Sequence, residues 1–228
     1  FASGGSDFGG KAQQADKNFG GGAGAGVSVV PVAFLVVKEG QVKLIPMGPP
    51  AADTASRVVE LVPEELRRKN LFPAGRLDKD TEGLLVITSD GQLAHRIISP
   101  RHEVGKVYYA RLDGELTDED VAALEAGIHI RDADGEFDAR PAKLRRDGGD
   151  AAYIRVTEGK YHQVKRMFAA RGKHVVYLKR MAIGSLALDP ELKPGEWREL
   201  TDDEVALLEI EQLDGDFGTL DGIANETK

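Results

Sequence analysis

The chain has 228 residues, 41% of them hydrophobic and 30% charged, and no cysteine. That mix suits a globular protein with a sizeable core, and it excludes disulfides, thiolate nucleophiles and cysteine-based zinc sites. The formal net charge of −8 disfavours an anionic partner on its sum alone, and no apolar run approaches the roughly 20 residues a membrane span needs.

The charge is unevenly spread. Residues 140–180 carry 12 basic and 3 acidic groups, whereas residues 1–139 carry 15 and 22 and residues 189–228 carry 3 and 13. A local basic field of this kind attracts phosphates whatever the global sum, unless the stretch is a solvated, salt-bridged face.

Residues 1–26 are rich in Gly, Ala and Ser and cannot bury enough apolar surface to offset the entropy of ordering, so they are expected to form a flexible tail or linker. Residues 28–37, SVVPVAFLVV, read as a strand whose start Pro31 confines to a sheet edge. A turn at Lys38–Gln41 and a return strand at Val42–Ile45 follow, then helical pieces at 54–61 and 63–66, the latter with Pro63 at its first position. Next comes Gly75–Leu85, GRLDKDTEGLL, a tight polar turn running into the apolar Leu84–Ile87. The turn holds one carboxylate, Asp78, near a cation, Arg76, on an edge that the apolar run can anchor.

Asp90-Gly91 is a turn signal, Gln92–Ile98 has helical spacing, and Ser99-Pro100 ends it. Lys106–Leu112 reads as a strand. Thr117 to Asp120 has the spacing of a capping box, with Asp in the final place, and Gly127 closes the helix it opens. Residues 137–146 and 152–158 read as a hairpin turning at Asp147–Asp150. Tyr161–Arg171 reads as a helix, Val175–Leu178, Ile183–Leu188 and Trp197–Leu200 as strands, and Asp202–Ile210 as a last helix. Residues 212–228 form an acidic tail. The fold class expected is α+β with a largely antiparallel sheet, its main domain spanning 27–211.

Among chemistries, a calcium loop at Asp78–Gly83 fails at its twelfth position, which is Ser89 rather than a bidentate Glu. No serine elbow and no HExxH-type spacing occur. What remains is carboxylate chemistry at Asp78 with aromatic and cationic helpers. Lys106 and Tyr108 alternate onto one strand face, where a ring can stack on a base and a cation can meet a phosphate. In EGKYHQVKRMF, Val164, Met167 and Phe168 trace an inward helix face, leaving His162, Lys165 and Arg166 near the helix start, where a cation would favour an ionised carboxylate.

GRLDKDTEGLL, KVYYARL, EGKYHQVKRM and HVVYLKRMAIGSLAL, in this order and spacing, closely resemble the rRNA pseudouridine synthases of the RsuA type, over about Leu61 to Leu208. The HQVKRM form resembles the small-subunit enzymes more than the large-subunit ones. The resemblance implies the pseudouridine synthase fold, a mixed, largely antiparallel sheet with flanking helices and an RNA cleft, and no metal or organic cofactor. It implies that Asp78 is the essential aspartate, Tyr108 the tyrosine that stacks on the target base, and Lys165 the basic partner of Asp78, within about 4 Å of it. Arg76 matches a position that helps fill the gap left by the displaced nucleotide. Lys106, Lys160, His162, Gln163 and Arg166 complete the expected RNA-binding set.

The implied function is isomerisation of a uridine in ribosomal RNA, 16S or alternatively 23S, by a cytoplasmic monomer with no membrane association. The alternative from another class is a non-catalytic rRNA-binding or assembly module. The family's usual N-terminal S4-type RNA-binding domain is not recognisable in residues 1–26, and its Asn-Lys-Pro-x-Gly turn is replaced by Lys38–Gln41, so an altered or truncated N-terminus is expected.

Overall fold

The structure, a computed structural model, describes residues 32–35, 70–209 and 217. The expected return strand at 42–45, the helical pieces before residue 67 and most of both tails lie outside these residues. The largest sheet has the order β11-β1-β3-β9-β4-β8-β7, with β2 pairing β3 and β10 pairing β9 at its margins. Its strands are β1 (Val32–Leu35), β2 (Phe72–Pro73), β3 (Thr81–Thr88), β4 (Lys106–Leu112), β7 (Lys143–Arg146), β8 (Ala151–Val156), β9 (Val175–Ile183), β10 (Leu186–Ala187) and β11 (Trp197–Glu199). β5 (Ile128–Asp132) and β6 (Gly135–Ala139) form a separate hairpin. Pairing is antiparallel throughout except between β3 and β9, and the fold is the mixed α+β sheet expected. β1 lies between β11 and β3 rather than at an edge.

Helices cover both faces. α1 (Gly91–Ile98) is capped by Asp90, whose side chain accepts from the Gln92 and Leu93 amides, and α4 (Asp202–Glu209) lies on the same side. They enclose a core containing Leu93, Ala94, Ile97, Val107, Tyr109, Met181 and Leu208. α2 (Asp118–Ala126) starts at the Thr117 capping box, in which Asp120 accepts from the Thr117 amide at 3.1 Å. It and α3 (Gln163–Ala169) enclose the second core, with Leu124, Ile154, Val164, Met167, Phe168 and Leu178. Strand alternation therefore sends Tyr109 into the first layer and Tyr108 toward the second.

Four expectations require correction. β6 ends at Ala139 and β7 starts only at Lys143. The expected strand is interrupted at Arg140-Pro141, so only 143–146 pairs with β8, while 135–139 returns on β5. Second, Val175 to Ile183 is one continuous strand, because Arg180 is buried rather than marking a loop. Third, α3 begins at Gln163, two residues late, because His162 sits in the left-handed region at φ 48°. Fourth, Phe217 is buried within the expected acidic tail and lies 6.3 Å from the Tyr153 ring.

Candidate active site

The Gly75–Leu85 turn is fixed at both ends. The Thr81 amide donates to the Asp78 carbonyl at 2.9 Å and the Ala74 amide to the Val86 carbonyl at 2.8 Å. Gly83, at φ 111°, pairs with Arg180 of β9 so closely that a Cβ there would lie 2.1 Å from the Arg180 carbonyl oxygen. Only glycine permits this approach, and it seats the turn directly on β9.

Asp78 is thus held half-buried with a different nitrogen near each carboxylate oxygen. Lys165 Nζ lies 3.6 Å from Oδ2 and His162 Nε2 3.7 Å from Oδ1. Both come from the start of α3, His162 as the left-handed residue just before the helix and Lys165 from its first turn. Lys165 has a second carboxylate partner, Asp80, to which its ammonium donates a hydrogen bond. That bond, ahead of every other influence, holds the Asp80 carboxyl below its usual range.

Tyr108 joins the same site through Arg180, a residue that the motif reading does not single out. A bulge in the β4–β9 ladder between Val107 and Tyr108 sets Tyr108 opposite Arg180, as bulges beside active sites often re-aim a side chain. Arg180 is 2% exposed. Its Nε donates to the Leu84 carbonyl at 2.6 Å, and its Nη1 donates to the Arg76 carbonyl at 3.2 Å and to the Tyr108 hydroxyl at 3.4 Å. One guanidinium therefore ties the Asp78 turn, β3 and the Tyr108 ring together. Its Nη2 is buried and without a hydrogen-bond partner among the described residues.

The expected RNA-binding residues separate into two groups. Arg76 is exposed and His162 is half-buried beside Asp78. Lys106 is buried instead, its ammonium donating to the Val104 carbonyl at 3.2 Å and pushed down to about 8 by burial and, next, by the Arg180 charge. Gln163 is also buried. Its amide donates to Glu158 at 2.9 Å and its oxygen accepts from the Lys160 backbone at 3.1 Å. Arg166 forms a two-pronged pair with Asp132 at 2.7 and 2.8 Å and donates to the Gly135 carbonyl, clamping α3 onto the β5–β6 hairpin. Lys160 is exposed but tied to the Asp138 carbonyl at 2.6 Å and to Glu158 at 3.1 Å. All four make contacts within the protein, and of the four only Lys160 is exposed.

The basic stretch is likewise compensated in space. Arg140, Arg146, Lys160, Arg166, Arg171 and Lys173 pair with Glu103, Asp118, Glu158, Asp132, Glu119 and Asp120. All but one of those acids lie outside the stretch, so a count along the chain overstates the field.

A carboxylate flanked by a lysine and a histidine, on a turn that Arg180 ties to the Tyr108 hydroxyl, is an arrangement suited to carboxylate chemistry. A solved pseudouridylate synthase shares this fold at TM-score 0.67 and 35% identity, covering 80% of this chain and 74% of the other. The chain is 49% identical over 170 residues to an uncharacterised RNA pseudouridine synthase, YtzG, of Bacillus subtilis, covering 72% of this chain and 70% of the relative. The chain belongs to the RNA pseudouridine synthase family, whose members are isomerases. It is also 45% identical over 137 residues to the ribosomal small subunit pseudouridine synthase A of Escherichia coli, covering 60% of this chain and 58% of that one. Residues 1–67 match the family model of the sporulation protein YtfJ. β1 falls within that segment, although its backbone pairs with β3 and β11.

Proposed function

We propose that the chain isomerises a uridine of small-subunit ribosomal RNA to pseudouridine, with Asp78 as the reacting carboxylate. The observation that carries this is the Asp78 carboxylate standing between Lys165 Nζ at 3.6 Å and His162 Nε2 at 3.7 Å, on a turn tied by Arg180 to Tyr108. The reaction breaks the uridine N1–C1′ bond, turns the base and forms a C5–C1′ bond, with a proton leaving C5 and one ending on N1. Nothing is oxidised and no group enters. Asp78 either attacks C1′ or removes the C2′ proton, and both routes use a carboxylate, with Lys165 Nζ 3.6 Å away. The target base must leave the RNA stack, and stacking on Tyr108 offsets part of that cost. His162 and Arg76 are the groups positioned to meet the RNA beside it.

The small-subunit assignment rests on the HQVKRM segment and on the likeness to the Escherichia coli enzyme. The working unit is taken as residues 27–211, acting as a cytoplasmic monomer. Among the described residues no helix is long and apolar enough to cross a membrane. Incubating the protein with small- and large-subunit rRNA and mapping pseudouridine tests the reading. A new pseudouridine in the small-subunit RNA supports it. One in the large-subunit RNA alone corrects the substrate, and binding without any modification leaves an RNA-binding module instead.

A further inference from the structure

Next to Asp78 lies a ring pair that the reaction as described does not use. Tyr161 is the most exposed large apolar side chain among the described residues, at 60%. It stacks on His162 with ring centroids 3.7 Å apart and planes within 25°. Consecutive side chains ordinarily diverge, and this overlap goes with the left-handed backbone of His162, φ 48° and ψ 30°. A non-glycine residue held there costs of order 1 kcal/mol or more, and such strain concentrates at ligand-binding sites. The inner ring of the pair has Nε2 3.7 Å from Asp78, so the outer ring begins one stacking step from the carboxylate.

We propose that Tyr161, backed by His162, is a platform on which a nucleobase adjoining the target uridine stacks. This deepens the reading of the site as an RNA uridine isomerase and rests on it. When the target nucleotide swings into the pocket, its neighbour loses a stacking partner, and an exposed ring already layered on a second ring replaces it. Every base has a π-face, so the platform tolerates sequence and acts by holding the strand. Tyr161 touches no reacting atom. Its contribution falls on RNA affinity and KM.

The test uses a small-subunit rRNA fragment that the protein protects from nuclease, with 2-aminopurine replacing, one at a time, the bases beside its uridines. Wild type quenches the fluorescence of a 2-aminopurine next to the modified uridine, and Tyr161→Phe, which keeps the ring, does the same. Tyr161→Ala abolishes the quench and raises KM and Kd by about tenfold to a hundredfold. An abasic nucleotide at that position weakens wild type equally and Tyr161→Ala no further. Unchanged quench and KM in Tyr161→Ala, or abasic and alanine losses that add in full, overturn the platform even if pseudouridine forms. Tyr161-dependent quenching without any pseudouridine upholds the platform and overturns the catalytic reading. A protein that protects no RNA fragment overturns both.

Discussion

Lys165 is shared between two carboxylates of one turn: its ammonium donates a hydrogen bond to Asp80 and stands 3.6 Å from Asp78. The two contacts differ in setting. The Asp80 side chain is 74% exposed and that of Asp78 27%, so water screens the closer contact more. An exposed pair contributes up to about 1 kcal/mol, equivalent to roughly fivefold in a rate. Asp80→Asn is expected to slow pseudouridine formation by no more than about fivefold. Lys165→Met, which strips the half-buried Asp78 of its lysine, is expected to slow it by about a hundredfold, a loss of roughly 3 kcal/mol. Single-turnover rates on rRNA check both. Equal losses in the two variants would move the functional pairing from Asp78 to Asp80.

Lys106 makes stability depend on alkaline pH. Its ammonium is pushed from 10.5 down to about 8, first by burial and then by Arg180. Between those values the unfolded chain keeps a proton that the folded one has lost. Stability therefore rises as pH climbs from about 8 to 10.5, by up to the order of 3 kcal/mol, and is lowest on this account below 8. Lys106→Met is expected to be more stable than wild type at pH 7 and to lack that rise. Denaturant melts of both proteins at pH 7 and pH 10 measure the difference.

Arg180 couples the turn to the ring, and its loss should register twice. Arg180→Met leaves the buried Leu84 carbonyl and the part-buried Arg76 carbonyl without this donor. Unmet buried groups cost about 1–3 kcal/mol each, partly offset by removing a buried cation, for an expected net loss of 1–3 kcal/mol. Releasing the Tyr108 hydroxyl is expected to lower kcat at least tenfold at temperatures where the variant is folded. Arg180→Lys restores one donor and should recover stability better than kcat, because a single ammonium cannot span the fork. Circular dichroism melts beside kinetics separate the two effects.

The internal pairing of the basic stretch sets a limit on salt dependence. If all 12 cations of residues 140–180 met phosphates of a single strand, log Kd would change with log salt at a slope near 8. At least seven, Lys165 among them, are held by carboxylates, so the expected slope is about 4 or less. Titration of rRNA fragment binding between 50 and 300 mM salt measures it.

The sequence motifs located the Asp78 turn, the Tyr108 strand and the Lys165 helix because each combines a local turn or period with a chemically distinctive residue. They did not locate what the tertiary structure supplies. Arg180 lies in a Lys-Arg pair that looks like a break between two strands, and only the neighbouring strands reveal it as buried. Gln163 and Arg166 share a helix start with Lys165, yet which of them meets solvent depends on the β5–β6 hairpin packing beside α3. Helical periodicity carries no information about that hairpin. Asp80 sits two residues from Asp78 in a turn, and its claim on Lys165 crosses 85 positions of sequence. The break at Arg140-Pro141 was legible in principle from the proline, which has no amide to give a central ladder.

The central claim is that the Asp78 carboxylate carries the chemistry, and Asp78→Asn tests it most directly, since the amide keeps the shape and removes the charge. Mapping pseudouridine in small-subunit rRNA after incubation with excess enzyme should give a new site with wild type and none with Asp78→Asn, while both proteins bind the RNA within a few-fold. Modification by Asp78→Asn at the wild-type rate would contradict the account.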